Sequence, residues 1–289
     1  MSGEALENLS HEDRVFFPSE KFAANANAKA ELYEAAKADR ETFWNEQAKS
    51  LQWDQPWSQV LDWTGAPVSK WFVGGKLNVS VNCLDRHVAA GNGARVAIHF
   101  EGERGDTQTI TYQDLLNSVS QAANALTELG IKAGDRVAIY MPMIPEAVIS
   151  MLACARIGVT HSVVFGGFAP HELAIRIDDC KPRAIITASS GIEIDRLIAY
   201  KPLVDEAIQL AEHKPKKVII LNRKLGAKVP FKKYDVDYDA LVYGSEEADC
   251  VPLNSTHPLY VLYTSGTTGK PKGIVRDSGG YATALKYSM

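Results

Sequence analysis

Residues 137–165 read VAIYMPMIPEAVISMLACARIGVTHSVVF, and the order of apolar runs and breakers in them decides the fold. Val137 to Met141 is a continuous apolar run of strand length. Pro145 then opens a helix running to Ile157, and Gly158 stops it. Val159 to Phe165 is a second apolar strand. Unbroken rather than alternating apolar strands, joined by a helix, predict parallel neighbours buried on both faces.

The same alternation extends outward. Upstream, Val96–Phe100 predicts a strand, and Thr111-x-x-Asp114 has the form of a capping box. Leu115, Val119, Ala122, Leu126 and Leu129 follow at helical spacing, and Gly130 ends the run. Downstream come a helix after Pro170, a strand over Ala184–Thr187, a helix over Pro202–His213 and a strand over Val218–Leu221. The fold class is α/β, a parallel sheet flanked by helices. Residues 1–26 lack periodicity and read as a loose tail, and residues 28–51 predict one helix. All five tryptophans (Trp44, Trp53, Trp57, Trp63, Trp71) fall in a window of 28 residues, where Glu46, Asp54 and Asp62 offset Lys49 and Lys70. A stacking platform for single-stranded nucleic acid needs a basic groove, so they read as packing anchors of a helical, Trp-rich extension.

The 31 Lys+Arg against 35 Asp+Glu leave a net charge of −4, which argues against nucleic-acid or anionic-membrane partners. Cys83, Cys154, Cys180 and Cys250 are scattered and form no CxxC, so reduced thiols are expected rather than a disulfide framework or zinc site. With no secretory signal and no apolar run of membrane-spanning length, a cytoplasmic protein is expected. His213–Tyr234 carries eight Lys/Arg, either a phosphate attractor or a solvated connection.

The densest chemistry follows the strand Leu259–Tyr263: Thr264-Ser265-Gly266-Thr267-Thr268-Gly269-Lys270-Pro271-Lys272-Gly273. Four hydroxyls, three glycines and two lysines in ten residues make a concentrated donor set. Glycines let backbone N–H groups converge on an anion, while hydroxyls and ammonium groups add donors and charge. A glycine-rich hairpin turn is one reading, though such turns need only about two to five residues. A Walker A loop is a second. Gly266 and Gly269 are too close together for it, and Pro271 stands where the metal-binding hydroxyl belongs. The third is a phosphate loop of another kind.

Here a family resemblance is plain. Tyr263–Gly273, YTSGTTGKPKG, is similar to the signature of adenylate-forming enzymes. Trp71–Asn82 with Asp85-Arg86-His87, Gly134–Glu146, Met151–Gly158 and His161–Phe168 resemble acetyl-CoA and propionyl-CoA synthetases. Residues 20–105 look closer to the acetyl type, and Arg276–Gly280 to the propionyl type. The resemblance implies a tail over 1–26, an extension over 27–85 and part of the large N-terminal adenylation domain over 86–289. It implies ATP, Mg2+ and coenzyme A as substrates and metal, with a short-chain carboxylate as the acid. Thr264, Ser265, Gly266, Thr267, Thr268, Gly269, Lys270 and Lys272 would hold the ATP phosphates. Phe165, Gly166 and Gly167 of the FGGF turn would meet the coenzyme, whose 3′-phosphate many relatives grip with two basic residues. Arg196 matches the second of these, but Glu193 occupies the place of the first.

The resemblance also implies that the acyl pocket, the adenine contacts and the adenylation lysine lie beyond Met289. Residues 1–289 are thus expected to be inactive alone, with apolar faces and a sheet edge exposed. No histidine sits in a metal or nucleophile constellation. His161 reads as a satisfied core residue, and Glu172, Asp178, Asp179, Glu246 and Glu247 as solvated charges.

Overall fold

The computed structural model describes residues 14–194, 196–226, 229–264 and 271–289. Residues 1–13 of the expected tail and Ser265–Lys270 of the expected phosphate loop therefore lie outside the described residues. Contacts divide the chain into two compact units, Met1–Glu46 and Gln47–Met289.

In the first unit, α1 (Glu20–Asn25) occupies part of what the sequence read as a loose tail. Ser19 Oγ accepts the Phe22 N–H and caps it. The single helix expected over 28–51 is instead two, α2 (Ala30–Ala38) and α3 (Arg40–Ala48). Asp39 causes the break. Its backbone is extended, and its carboxylate accepts the Thr42 N–H at 2.9 Å and the Thr42 hydroxyl at 2.7 Å, capping the second helix.

The second unit opens on an antiparallel pair, β1 (Gln59–Asp62) and β2 (Lys70–Val73), followed by β3 (Lys76–Leu77). The rings of Trp53, Trp57 and Trp71 surround Phe72, with centroids 5.6, 5.1 and 5.9 Å away. Phe72 is buried at φ 55, a backbone strain that only such enclosing contacts sustain. Ser255 Oγ lies 2.6 Å from the Phe72 carbonyl and ties this aromatic cluster to the far end of the chain. These indoles are packing anchors.

Two strands, β4 (Val96–Glu101) and β5 (Thr107–Thr111), pair antiparallel with each other. Val96–Phe100 is therefore a ribbon strand and not a member of the main sheet. Thr111 and Asp114 form the expected capping box at the start of α4 (Tyr112–Glu128). Then follow β6 (Arg136–Tyr140), α5 (Pro145–Arg156), β7 (Thr160–Val163), α6 (Pro170–Cys180) and β8 (Ala184–Ala188). Next are β9 (Ser190–Glu193), β10 (Arg196–Ala199), α7 (Tyr200–Leu210), β11 (Lys217–Leu221), β12 (Asp235–Asp237) and α8 (Tyr238–Val242). The described chain closes with β13 (Leu253–Asn254), β14 (Pro258–Thr264), β15 (Lys272–Asp277) and α9 (Ser278–Ser288).

Among the described residues, seven strands build one sheet in the order β12-β11-β8-β6-β7-β14-β15. All pairings are parallel except that of β15, which returns antiparallel beside β14. The continuous apolar strands are explained by cover on both faces. Val137, Ile139, Ile186 and Ile219 pack with Leu115, Val119, Leu126 and Ala153 of α4 and α5. Ala138, Tyr140, Ile185, Val218 and Ile220 pack with Leu173, Ile177, Val204 and Ile208 of α6 and α7. At the other end of the sheet β15 is an edge, where Ile274 and Val275 are exposed, matching the apolar edge expected from the sequence.

Buried charges are paired. Arg156 holds Asp85 with an N–O distance of 2.9 Å, and Lys201 holds Asp205 at 2.5 Å and Asp235 at 3.0 Å. In the basic stretch 213–234, Lys214 reaches the last carbonyls of α7 and Lys232 pairs with Asp205. Those two lysines cap and tie the fold.

Candidate active site

The sheet order reverses at β6, with β7 on one side and β8 on the other. Loops leaving the carboxyl ends of strands at such a point run apart and leave a crevice, the usual ligand position in open α/β sheets. A cleft of about 500 Å³ opens here. Met141–Ile144 after β6, Val164–Phe168 after β7, Ile192 and Glu193 of β9, and Leu262 and Tyr263 of β14 line it. The segment expected to meet coenzyme A and the residue that leads into the expected phosphate loop therefore line one space.

The turn Phe165-Gly166-Gly167-Phe168 is held from below. Tyr140, fully buried, places its hydroxyl 3.0 Å from the Gly166 carbonyl and 2.8 Å from the Phe168 carbonyl. Burial, with smaller contributions from Tyr200 and Glu193, pushes the Tyr140 phenol up to about 12, so it remains a donor at neutral pH. Glycine is required at 166 because a Cβ would stand 2.2 Å from the Tyr200 hydroxyl. That ring cannot retreat freely, since it is buried and packs 5.2 Å from Tyr140.

Helix α6 joins the turn to β14. The Arg176 guanidinium lies 4.4 Å over the Phe168 ring and 5.7 Å from the Tyr263 ring, and pairs with Glu172 at 2.8 Å. Tyr263 donates its hydroxyl to Asp179 at 2.5 Å. Burial, then this bond, pushes the Tyr263 phenol far above its ordinary value. Asp179 is exposed and Glu172 partly so, as solvated charges should be, and each also braces a residue of the cleft wall. Asp178 likewise accepts the His213 N–H at 2.8 Å.

Thr264 and Lys272 face each other across the β14–β15 pair, at its open end. The hairpin reading and the phosphate-loop reading are therefore compatible. The strands form a hairpin, but residues 265–271 connect them, more than the strands require. Thr264 and Lys272 are exposed, while Ser265, Gly266, Thr267, Thr268, Gly269 and Lys270 lie outside the described residues.

Glu193 lines the cleft, whereas Arg196 is exposed and does not. Both belong to a hairpin the sequence did not suggest, in which β9 and β10 pair Glu193 directly opposite Arg196. Arg196 is thus a strand residue. His161 is in the core as expected but not satisfied: its Nδ1 is buried with no partner among the described residues, and burial lowers its pKa to about 4. Sequence reasoning missed Tyr140, Arg176, Asp179 and Tyr200 as site supports. Nothing in linear spacing joins Arg176 to Tyr263; only the position of β14 beside β7 does. Among the described residues no group of three His, Cys, Asp or Glu side chains stands together as a metal site, and no helix is long and apolar enough to cross a membrane.

Residues 85–289 match the AMP-binding enzyme family, and residues 29–83 match the acetyl-coenzyme A synthetase N-terminus. The chain belongs to the AMP-binding enzyme family. It is 51% identical over its whole length to the acetyl-coenzyme A synthetase of Streptomyces avermitilis, covering 44% of that protein. It is 49% identical over 89% of its length to the mitochondrial acyl-CoA synthetase short-chain family member 3 of Bos taurus, covering 38% of it. In structure it is similar to the acetoacetyl-CoA synthetase from Streptomyces lividans, with a TM-score of 0.81 and 26% identity over 92% of this chain and 41% of the other. The chain spans less than half the length of these relatives.

Proposed function

We propose that the protein carrying this chain is an ATP-dependent acid–thiol ligase that makes acetyl-CoA from acetate, ATP and coenzyme A. In this reading a carboxylate oxygen attacks the α-phosphorus, pyrophosphate leaves and an acyl-adenylate forms. The coenzyme thiol then attacks the activated carbonyl and AMP leaves. Magnesium enters with the triphosphate, as a hard ion that keeps most of its contacts to phosphates and water. One observation carries the reading. Tyr263, the last residue but one before the loop Ser265–Lys270, and the Phe165–Phe168 turn line a single cleft at the carboxyl ends of the parallel strands.

Thr264, Ser265, Gly266, Thr267, Thr268, Gly269, Lys270 and Lys272 are assigned to the phosphates. Their donors face charge that grows on the leaving pyrophosphate, and fixed donors aimed at such charge lower the barrier most. Phe165, Gly166, Gly167 and the neighbouring Glu193 and Arg196 are assigned to the coenzyme end. A propionate-using enzyme is the second reading, favoured by the sequence Arg276–Gly280. ATP–pyrophosphate exchange in the full-length protein tests the assignment. Lys270→Ala should lower acetate-dependent exchange at least tenfold without changing the melting temperature. Equal exchange in the two proteins would refute it, and exchange faster with propionate than acetate would favour the second reading.

A further inference from the structure

The cleft has an acidic mouth. Glu101, Glu103 and Asp106 from the β4–β5 ribbon line it together with Glu193. Two cations line it as well, and both are engaged. Arg176 pairs with Glu172 and stacks on Phe168, and Arg223 directs its guanidinium to the Ser190 carbonyl at 3.4 Å. Arg196, the nearest further cation along the chain, stands directly across the hairpin from Glu193. Residues so opposed share a face with their Cβ atoms about 5 Å apart. A phosphate reaching for Arg196 therefore also comes near the Glu193 carboxylate. That carboxylate is felt inside the cleft, because it also contributes to raising the phenols of Tyr140 and Tyr200.

We infer that Glu193 is a specificity-determining residue that disfavours a terminal phosphate monoester on the thiol substrate, so that this site discriminates little between coenzyme A and its 3′-dephospho form. The inference rests on the proposed reading of the cleft as the coenzyme site. A monoester dianion about 6 Å from one carboxylate loses roughly a factor of ten in affinity at low ionic strength, and less as salt screens the pair. Neutralising the carboxylate restores that factor for the phosphorylated thiol alone, since the dephospho form has no charge there to feel it.

The test is direct binding of coenzyme A and of 3′-dephospho-coenzyme A to the full-length protein, wild type against Glu193→Gln and Glu193→Lys. Glu193 is exposed at a hairpin end, so both variants should fold, checked by circular dichroism. In the wild type the two affinities should lie within about threefold. In Glu193→Gln the ratio should move about tenfold towards coenzyme A, and further in Glu193→Lys. Raising the salt should leave the wild-type ratio nearly flat, because attraction to Arg196 and repulsion from Glu193 are screened alike, and should pull the Gln variant's ratio back towards the wild-type value. A ratio that Glu193→Gln and Glu193→Lys leave unchanged, with both thiols competing for one site that Gly166→Leu abolishes, overturns the inference and keeps the coenzyme site. Binding that Gly166→Leu leaves intact, or no binding of either thiol, overturns both.

Discussion

Removing one hydroxyl tests how the cleft is held. Tyr140→Phe deletes the group that reaches the Gly166 and Phe168 carbonyls at 3.0 and 2.8 Å while keeping the ring that fills the core. One proton serves both acceptors, and no other donor to either carbonyl is found among the described residues. The net loss of such a bond is about 1 kcal/mol, and a buried acceptor left unmet adds about another. The expected cost is about 2 kcal/mol, a fall of about 4–8 °C in melting temperature for a domain of this size. Part of that cost falls on the turn itself, so hydrogen exchange at residues 165–168 should quicken about tenfold while the β8 and β11 amides stay protected. The pH dependence follows from the same group. Its folded pKa, about 12, lies above the ordinary value of 10. Its stabilisation is therefore complete below pH 10 and is lost as pH rises from 10 towards 12. The wild type should lose more stability than Tyr140→Phe across that interval. If the variant melts within 1 °C of wild type and exchanges at the same rate, a water or a rotated backbone satisfies those carbonyls and the bracing argument is wrong.

Two further outcomes concern buried charge. Lys201→Met should cost about 3–5 kcal/mol, because it strands the Asp235 carboxylate, whose side chain is fully buried; adding Asp235→Asn should recover more than half of the loss in thermal melting, and no recovery would show that the pair is not the cause. His161 has its pKa depressed from 6.5 to about 4 by burial, so the unfolded chain takes up a proton that the folded one refuses, and stability should drop as pH falls from 6.5 to 4. His161→Leu should flatten that drop in urea titrations at pH 7, 6 and 5, and a profile parallel to wild type would contradict the assignment.

Local chemistry decided much of this protein. The breakers Pro145, Gly158 and Pro170, the box at Thr111 and Asp114, and the unbroken apolar runs from Val137 to Leu221 placed the elements within a few residues, because each signal acts within one turn or strand. For the loop Thr264–Gly273, composition is what supports the proposed phosphate role, since glycines let backbone N–H groups converge on an anion. Asp39 was legible in principle as a cap, but helix formers on both sides concealed the break it makes. What no local signal carried was adjacency. Only the crossing of the chain from β7 to β8, over β6, and the return of β14 beside β7 bring Arg176, Asp179 and Tyr263 into one wall. The register of β9 on β10, likewise, sets Glu193 against Arg196. Strand order and register are settled by packing over the whole sheet, where burial summed over both faces selects one arrangement from many that the local sequence permits.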